Sequence, residues 1–272
     1  DLADLSRKFG FKLLVEKVIN LDLERKMVST VKQSLNYDYL IISSGSETNF
    51  YSNEEIKQYA YKLDNARDAK GLLDVLEKDN FDSFIVAGGG YTGIEIATNL
   101  RIYLRKRSKD KRIIVVERAP AILGPLPQWM KDYVSANLKK LDIEVITNTE
   151  IEKIQKRHIT LRNGSLFDNA MLIWTAGVKT ADFIQNLKVQ KSPQGSVKVD
   201  KFLRLNEDCF VAGDSAYVAY ENGFLRMAVQ FAITQGKLAA SNIIRSIMLR
   251  TLKEYIPRDL GYIIPMANNR SC

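Results

Sequence analysis

Ser83-Phe-Ile-Val-Ala-Gly-Gly-Gly-Tyr-Thr-Gly93 is the stretch whose reading decides the fold. SFIVA is a continuous apolar run of the kind that forms a fully buried strand. It runs straight into Gly88-Gly-Gly-Tyr-Thr-Gly93, a match to G-x-G-x-x-G. A lone match carries little weight, but here the flanks supply what its mechanism requires. Gly88 can make the tight turn after the strand, and Gly90 lets backbone approach a pyrophosphate with no Cβ in the way. Gly93 lets the following helix, expected from about 93 to 105, pack on the strand. The helix N-terminus offers free N–H groups to phosphate oxygens, with Tyr91 beside them.

Working outward, a second strand is expected at 112–117, RIIVVE, ending in Glu117, which lies 117 − 93 = 24 residues past the last glycine. A carboxylate there accepts hydrogen bonds from an adenosine ribose 2′-OH and repels a 2′-phosphate, favouring NAD over NADP. Arg118, next to it, offsets part of that repulsion. The run Arg105-Lys-Arg-Ser-Lys-Asp-Lys-Arg112 between helix and strand reads as a solvated loop rather than as a patch for an anionic surface. Further on, a helix is expected at 127–140, a strand at 144–147, and alternating strands over 151–174 around the turn Arg162-Asn-Gly164. Upstream, 12–19, 23–31 and 38–43 read as short strands of an antiparallel meander, and 53–79 as helical. Downstream, Cys209–Ala212 is a strand entering a second special turn, Gly213-Asp214, before a helix at about 226–248.

Composition narrows the class. A chain of 272 residues with 46% apolar side chains can build one to three cored domains. The formal charge of +8 (40 Lys+Arg against 32 Asp+Glu) suits anionic cofactors, an anionic surface or nucleic acid, and does not choose among them. Two cysteines, Cys209 and Cys272, make neither a disulfide framework nor a metal spacing and suit a reducing, cytosol-facing compartment. With His158 as the only histidine, His-based triads and His-rich metal sites are excluded within the chain, and no metal is expected. There is no aromatic-interleaved basic stripe of the single-strand-binding kind, so no nucleic-acid partner is expected.

The order Tyr37-Asp-Tyr-Leu-Ile-Ile-Ser-Ser-Gly45, the glycine fingerprint, Val115-Val-Glu117, Trp174-Thr-Ala-Gly-Val-Lys179 and Val211-Ala-Gly-Asp-Ser-Ala216 resembles the pyridine nucleotide–disulfide oxidoreductase superfamily. The resemblance implies an α/β fold with two Rossmann-like dinucleotide-binding domains of three-layer ββα type, the NAD domain being inserted into an FAD domain. It divides the chain into an FAD-domain remnant at 1–77, an NAD domain at 78–180, the second part of the FAD domain at 181–248 and an interface or membrane-associated region from 249 to 272. It implies FAD contacts at Ser44, Gly45, Gly213, Asp214 and Val229, and an NAD contact at Gly177. Glu95 would point toward flavin and nicotinamide, where a carboxylate can steer the ring or relay a proton; an acid one turn into a helix also simply favours its dipole.

Within the superfamily, Met227-Ala-Val-Gln-Phe-Ala-Ile-Thr-Gln-Gly236 is similar to the stretch beneath the flavin in type II NADH:quinone oxidoreductases. That makes Gln230 the quinone-side residue, although Val229 and Thr234 depart from the family's alanine and glutamine. The implied activity is hydride transfer from NADH to FAD and electron transfer to a quinone, on the cytoplasmic side of a membrane as a peripheral protein or in the cytoplasm, with a homodimer left open. A soluble reductase of a disulfide, ferredoxin-like or sulfide/quinone substrate, and a non-catalytic NADH sensor or scaffold, remain alternatives. Nothing upstream of residue 40 resembles the FAD domain's own βαβ unit, which needs about 30 residues. The sequence therefore reads as cut at both ends, and this stretch alone is expected to bind NADH but hold FAD poorly.

Overall fold

The computed structural model describes residues 1–220, 223–268 and 270–272. The chain divides into two compact units, Asp1–Ser46 with Lys179–Asp259, and Glu47–Val178 with Leu260–Cys272. One stretch is thus inserted into another, as the resemblance implies, with different bounds. Helices Glu54–Tyr59 and Ala66–Lys78, placed above in the 1–77 segment, fall with the inserted unit, and so does the tail from Leu260.

The inserted unit is built on four parallel strands in the order Ala170–Trp174, Ser83–Ala87, Arg112–Val116 and Ile143–Ile146. Every residue of Ser83–Ala87 and Ala170–Trp174 is buried, because both sheet faces are covered. On one face lie helices Ala66–Lys78, Tyr91–Arg105 and Gln128–Lys140. Leu76, Ile94, Leu104, Val134 and Leu138 there meet Phe84, Val86, Ile113 and Val115 of the sheet. On the other face an antiparallel sheet, Ile151–Gln155, His158–Leu161 and Leu166–Phe167, packs Ile154, Ile159 and Leu161 against Ile85, Ile114 and Leu172. Helix, parallel sheet, antiparallel sheet is the ββα layering expected. Arg162-Asn-Gly164 turns the last hairpin, with the Gly164 N–H donating to the Leu161 carbonyl at 2.9 Å.

Tail residues Ile264 and Met266 are 0% and 1% exposed within the helix-side core. The Asn268 side-chain amide donates to Asn137 Oδ1 at 2.9 Å and pins this tail to Gln128–Lys140.

In the other unit, Val18–Asp22, Met27–Thr30 and Ser34–Asn36 form an antiparallel meander. The first strand therefore starts at Val18, not at Lys12, and residues 11–17 are irregular. The reason is local: Asp22 accepts the N–H groups of Glu24 and Arg25, fixing the hairpin turn and with it the register of the strand that precedes it. Helix Leu2–Phe9 and strand Ser34–Asn36 were not foreseen. The expected helix at about 226–248 is Val229–Ile247. Leu40–Ile42 pairs in parallel with Cys209–Val211. Among the described residues no helix is long and apolar enough to cross a membrane.

Candidate functional site

Strands Ser83–Ala87 and Arg112–Val116 deliver their carboxyl ends to one cleft of about 640 Å³ inside the inserted unit. It is lined by Gly88, Gly90, Glu117, Thr175 and Gly177 among others. Both volume and position suit a small-molecule site at the strand ends of an open parallel sheet.

The glycines there have separable jobs. A Cβ on Gly93 would lie 1.9 Å from the Gly88 carbonyl oxygen, so close helix-to-turn packing demands glycine there. Gly90 caps helix Tyr91–Arg105 at an ordinary φ of −81°, and a Cβ on it would meet nothing within 4 Å. No protein contact requires glycine at 90, and the space its side chain would fill opens on the cleft. That is the observation by which these residues fit a dinucleotide: a cradle that a Cβ would occupy, beside a helix N-terminus. Gly89, which sequence reading passed over, is needed as well, since its Cβ would press on Ile122 at 2.7 Å and Glu117 at 3.1 Å. The signal was visible as three consecutive glycines where the fingerprint asks for two.

Glu117 sits at the end of Arg112–Val116 and lines the cleft. Its two carboxylate oxygens accept the N–H groups of Gly89 at 2.7 Å and Ala119 at 2.8 Å. Each oxygen keeps a second lone pair for a hydroxyl donor. The carboxylate therefore shapes the glycine loop as well as facing the cleft, a dual use that spacing does not reveal. Gly177 carries the far wall past the Tyr51 ring. Tyr91, the first residue of the fingerprint helix, stacks on Tyr262 with centroids 6.0 Å apart. Glu95 is exposed one turn further along and does not line this cleft.

In the other unit, parallel strands Leu40–Ile42 and Cys209–Val211 end side by side and each enters a glycine turn. Ser46 Oγ donates to Asp214 Oδ2 at 2.7 Å, Ser44 Oγ lies 3.3 Å from Ser215 Oγ, and Ser215 Oγ donates to the Gly45 carbonyl at 3.3 Å. Ser44, Gly45, Gly213 and Asp214 are thus brought into one cluster. Its carboxylate and hydroxyls form a donor–acceptor set that fits a polyol such as a ribityl chain. A Cβ on Gly45 would meet nothing within 4 Å, so that edge is open as well.

Val229, 76% exposed, starts helix Val229–Ile247, and the Gln230 amide donates to Asp259 at 3.2 Å, a carboxylate shared with Arg226 at 2.7 Å. The glutamine that holds the cluster is a different one. Gln235 is 3% exposed and its Oε1 accepts the Gly213 N–H at 2.7 Å.

The remaining chemistry-bearing residues are accounted for structurally. Burial pushes the Cys209 thiol up to about 12, so it is packed rather than reactive. His158 pairs with Asp168 at 2.7 Å. Among the described residues no group of three His, Cys, Asp or Glu could hold a metal. In the basic run, Arg105, Arg107, Lys111 and Arg112 pair with Asp142, Glu77, Asp82 and Glu144. Arg101, 2% exposed, donates to the carbonyls of Lys111 and Asp142, and so ties together the turns that lead into two of the sheet strands.

A parallel sheet layered between helices and an antiparallel sheet, with glycine turns at its strand ends, is the architecture of a Rossmann-like fold. The profile of the pyridine nucleotide-disulphide oxidoreductase family matches residues 5–236, and the chain belongs to that family. A type II NADH:quinone oxidoreductase of Mycobacterium tuberculosis is 23% identical over 267 residues, covering 84% of this chain and 57% of the relative. The chain spans roughly three-fifths of the length of such curated relatives, 57% and 61% in two of them. The fold is shared with the solved structure of NDH2 from Plasmodium falciparum in complex with NADH, at a TM-score of 0.78 and 18% identity, over 95% of this chain and 74% of that one. It is shared too with an NAD-dependent persulfide reductase from A. fulgidus, at 0.84 and 20%, over 98% and 50%.

Proposed function

We propose that the chain is the NADH- and FAD-binding part of an NADH dehydrogenase that takes hydride from NADH and passes the electrons to a quinone. The observation that carries this reading is the cleft at Gly90: a helix N-terminus and a glycine whose missing Cβ no protein contact within 4 Å explains, lining the same space as Glu117. Membership of an oxidoreductase family and likeness to type II NADH:quinone oxidoreductases supply the direction of the chemistry.

A bound flavin supplies hydride acceptance and the change from two-electron to one-electron transfer. The chain's own residues do the rest. Gly88, Gly90, Gly93 and the N–H groups around Tyr91 hold the dinucleotide pyrophosphate, Glu117 accepts the adenosine ribose hydroxyls, and Gly177 keeps the far wall low. Asp214, with Ser44, Gly45 and Gly213, accepts the flavin's ribityl hydroxyls, and Val229 lies on the flavin side. Glu95 steers the nicotinamide or holds a proton at its carboxylate. Gln230 is the quinone-side residue.

Peripheral attachment to a membrane is part of the same reading. It is supported by the exposed Ile247, Met248 and Leu249 and by the net charge of +8. A homodimer belongs to it as well.

The test is an anaerobic titration of the FAD-loaded protein with NADH and then with a quinone, following flavin absorbance. Bleaching by NADH and recovery with quinone is the expected result. Recovery only with a disulfide or a protein acceptor would move the reading to a soluble reductase. Absence of bleaching would reduce the chain to a binding scaffold.

A further inference from the structure

The cleft carries a second charged device that the fingerprint does not include. Glu117 is followed by Arg118, and the neighbouring wall brings Glu150, Glu152 and Arg162 to the same cleft. Backbone bonds fix this wall to the end of the Glu117 strand. Thr149 N–H donates to the Glu117 carbonyl at 3.3 Å, Arg162 N–H donates to the Glu150 carbonyl at 3.0 Å, and Asn163 N–H donates to Thr149 Oγ1 at 3.3 Å. The hairpin tip at 162–164 is therefore tied to the residue next to Glu150. Across that tie the Arg162 guanidinium meets the Glu150 carboxylate at 2.7 Å, the arginine side chain 71% exposed and the glutamate 31%.

A planar guanidinium is the best phosphate ligand a protein has, because its forked N–H groups match phosphate oxygens two at a time. One that lines a nucleotide cleft would be expected to welcome a 2′-phosphate. Here its charge is matched by Glu150, and the lining acids (Glu117, Glu150, Glu152) outnumber the lining bases (Arg118, Arg162) by three to two.

We propose that the Glu150–Arg162 pair is a determinant of cofactor choice at this cleft: Glu150 occupies Arg162 and so excludes dinucleotides carrying a 2′-phosphate, in addition to the repulsion from Glu117. The inference rests on the dinucleotide reading of the cleft. Replacing Glu117 tests it poorly, because that carboxylate also holds the Gly89 and Ala119 N–H groups. Glu150→Gln keeps the shape, removes the charge and leaves Arg162 available.

The experiment is isothermal titration calorimetry of the whole protein with NADH and with NADPH. It compares the wild type, Glu150→Gln and the double variant Glu150→Gln/Arg162→Gln. The ratio of NADPH to NADH affinity is expected to rise about tenfold in Glu150→Gln, the size of one gained charge-assisted contact. It should return close to the wild-type ratio when Arg162 is also replaced. A ratio unmoved by Glu150→Gln, or a gain that survives loss of Arg162, would overturn the inference while leaving NADH binding intact. Failure of the wild type to bind either dinucleotide would overturn the reading beneath it as well.

Discussion

At the scale of single residues, the glycine cradle separates positions that the fold needs from positions that a ligand needs. Gly93→Ala would place a methyl 1.9 Å from a backbone carbonyl oxygen that has no easy way to yield. It is expected to destabilise the inserted unit by about 3 kcal/mol, read as a lower urea midpoint. Asp64 shows how a carboxylate can be tuned by its partners. Burial pushes its pKa up, but hydrogen bonds from Lys62 at 2.6 Å and from the Thr48 hydroxyl outweigh that, leaving it below its ordinary 3.8. A depressed folded-state pKa contributes stability that is fully present above the unfolded value and is lost as pH falls through the folded one. Asp64→Asn should therefore lower the unfolding midpoint at pH 7, and the gap between the two proteins should close as pH drops below 3.8. A gap that stays constant into acid would mean that geometry, not charge, is what Asp64 supplies.

At the scale of elements, the sequence displayed whatever repeats locally and hid what closes over distance. Ser83–Ala87, Arg112–Val116 and the hairpin at Arg162–Gly164 were legible because an apolar run or a turn dipeptide is a local fact. The first meander strand starts later than Lys12 because Leu13–Val15 have the right composition but pair with no strand among the described residues, and Val15 is 85% exposed. Gln235 stayed hidden for the same reason. Helical spacing cannot tell which glutamine reaches back 22 residues to the Gly213 N–H. Nor does the basic run announce that four of its members answer acids elsewhere in the unit.

The helix ends, by contrast, follow their caps. Asn65 accepts the N–H groups of Arg67 and Asp68 at the start of Ala66–Lys78. Asn65→Ala is expected to cost about 1 kcal/mol in urea denaturation, with Asn65→Asp recovering most of it.

At the scale of the whole molecule, the account assigns NADH to one of two compact units, Glu47–Val178 with Leu260–Cys272. Hydrogen exchange with and without NADH should show added protection at Gly88–Ile94, Glu117–Ala119 and Thr175–Gly177. The meander of Val18–Asp22, Met27–Thr30 and Ser34–Asn36 should exchange as before. Protection centred on the meander would place the ligand in the wrong unit.

The claim on which the rest depends is that the open space over Gly90 belongs to a dinucleotide phosphate. The most direct measurement is a calorimetric NADH titration of Gly90→Ala beside the wild type, with thermal unfolding of both. Because a Cβ at 90 meets nothing within 4 Å, the account predicts a stability loss of at most about 1 kcal/mol, that of a poorer helix cap. It predicts at the same time a fall in NADH affinity of about tenfold or more, as the methyl takes the place of a pyrophosphate oxygen. Undiminished NADH binding by a stable Gly90→Ala protein would contradict it.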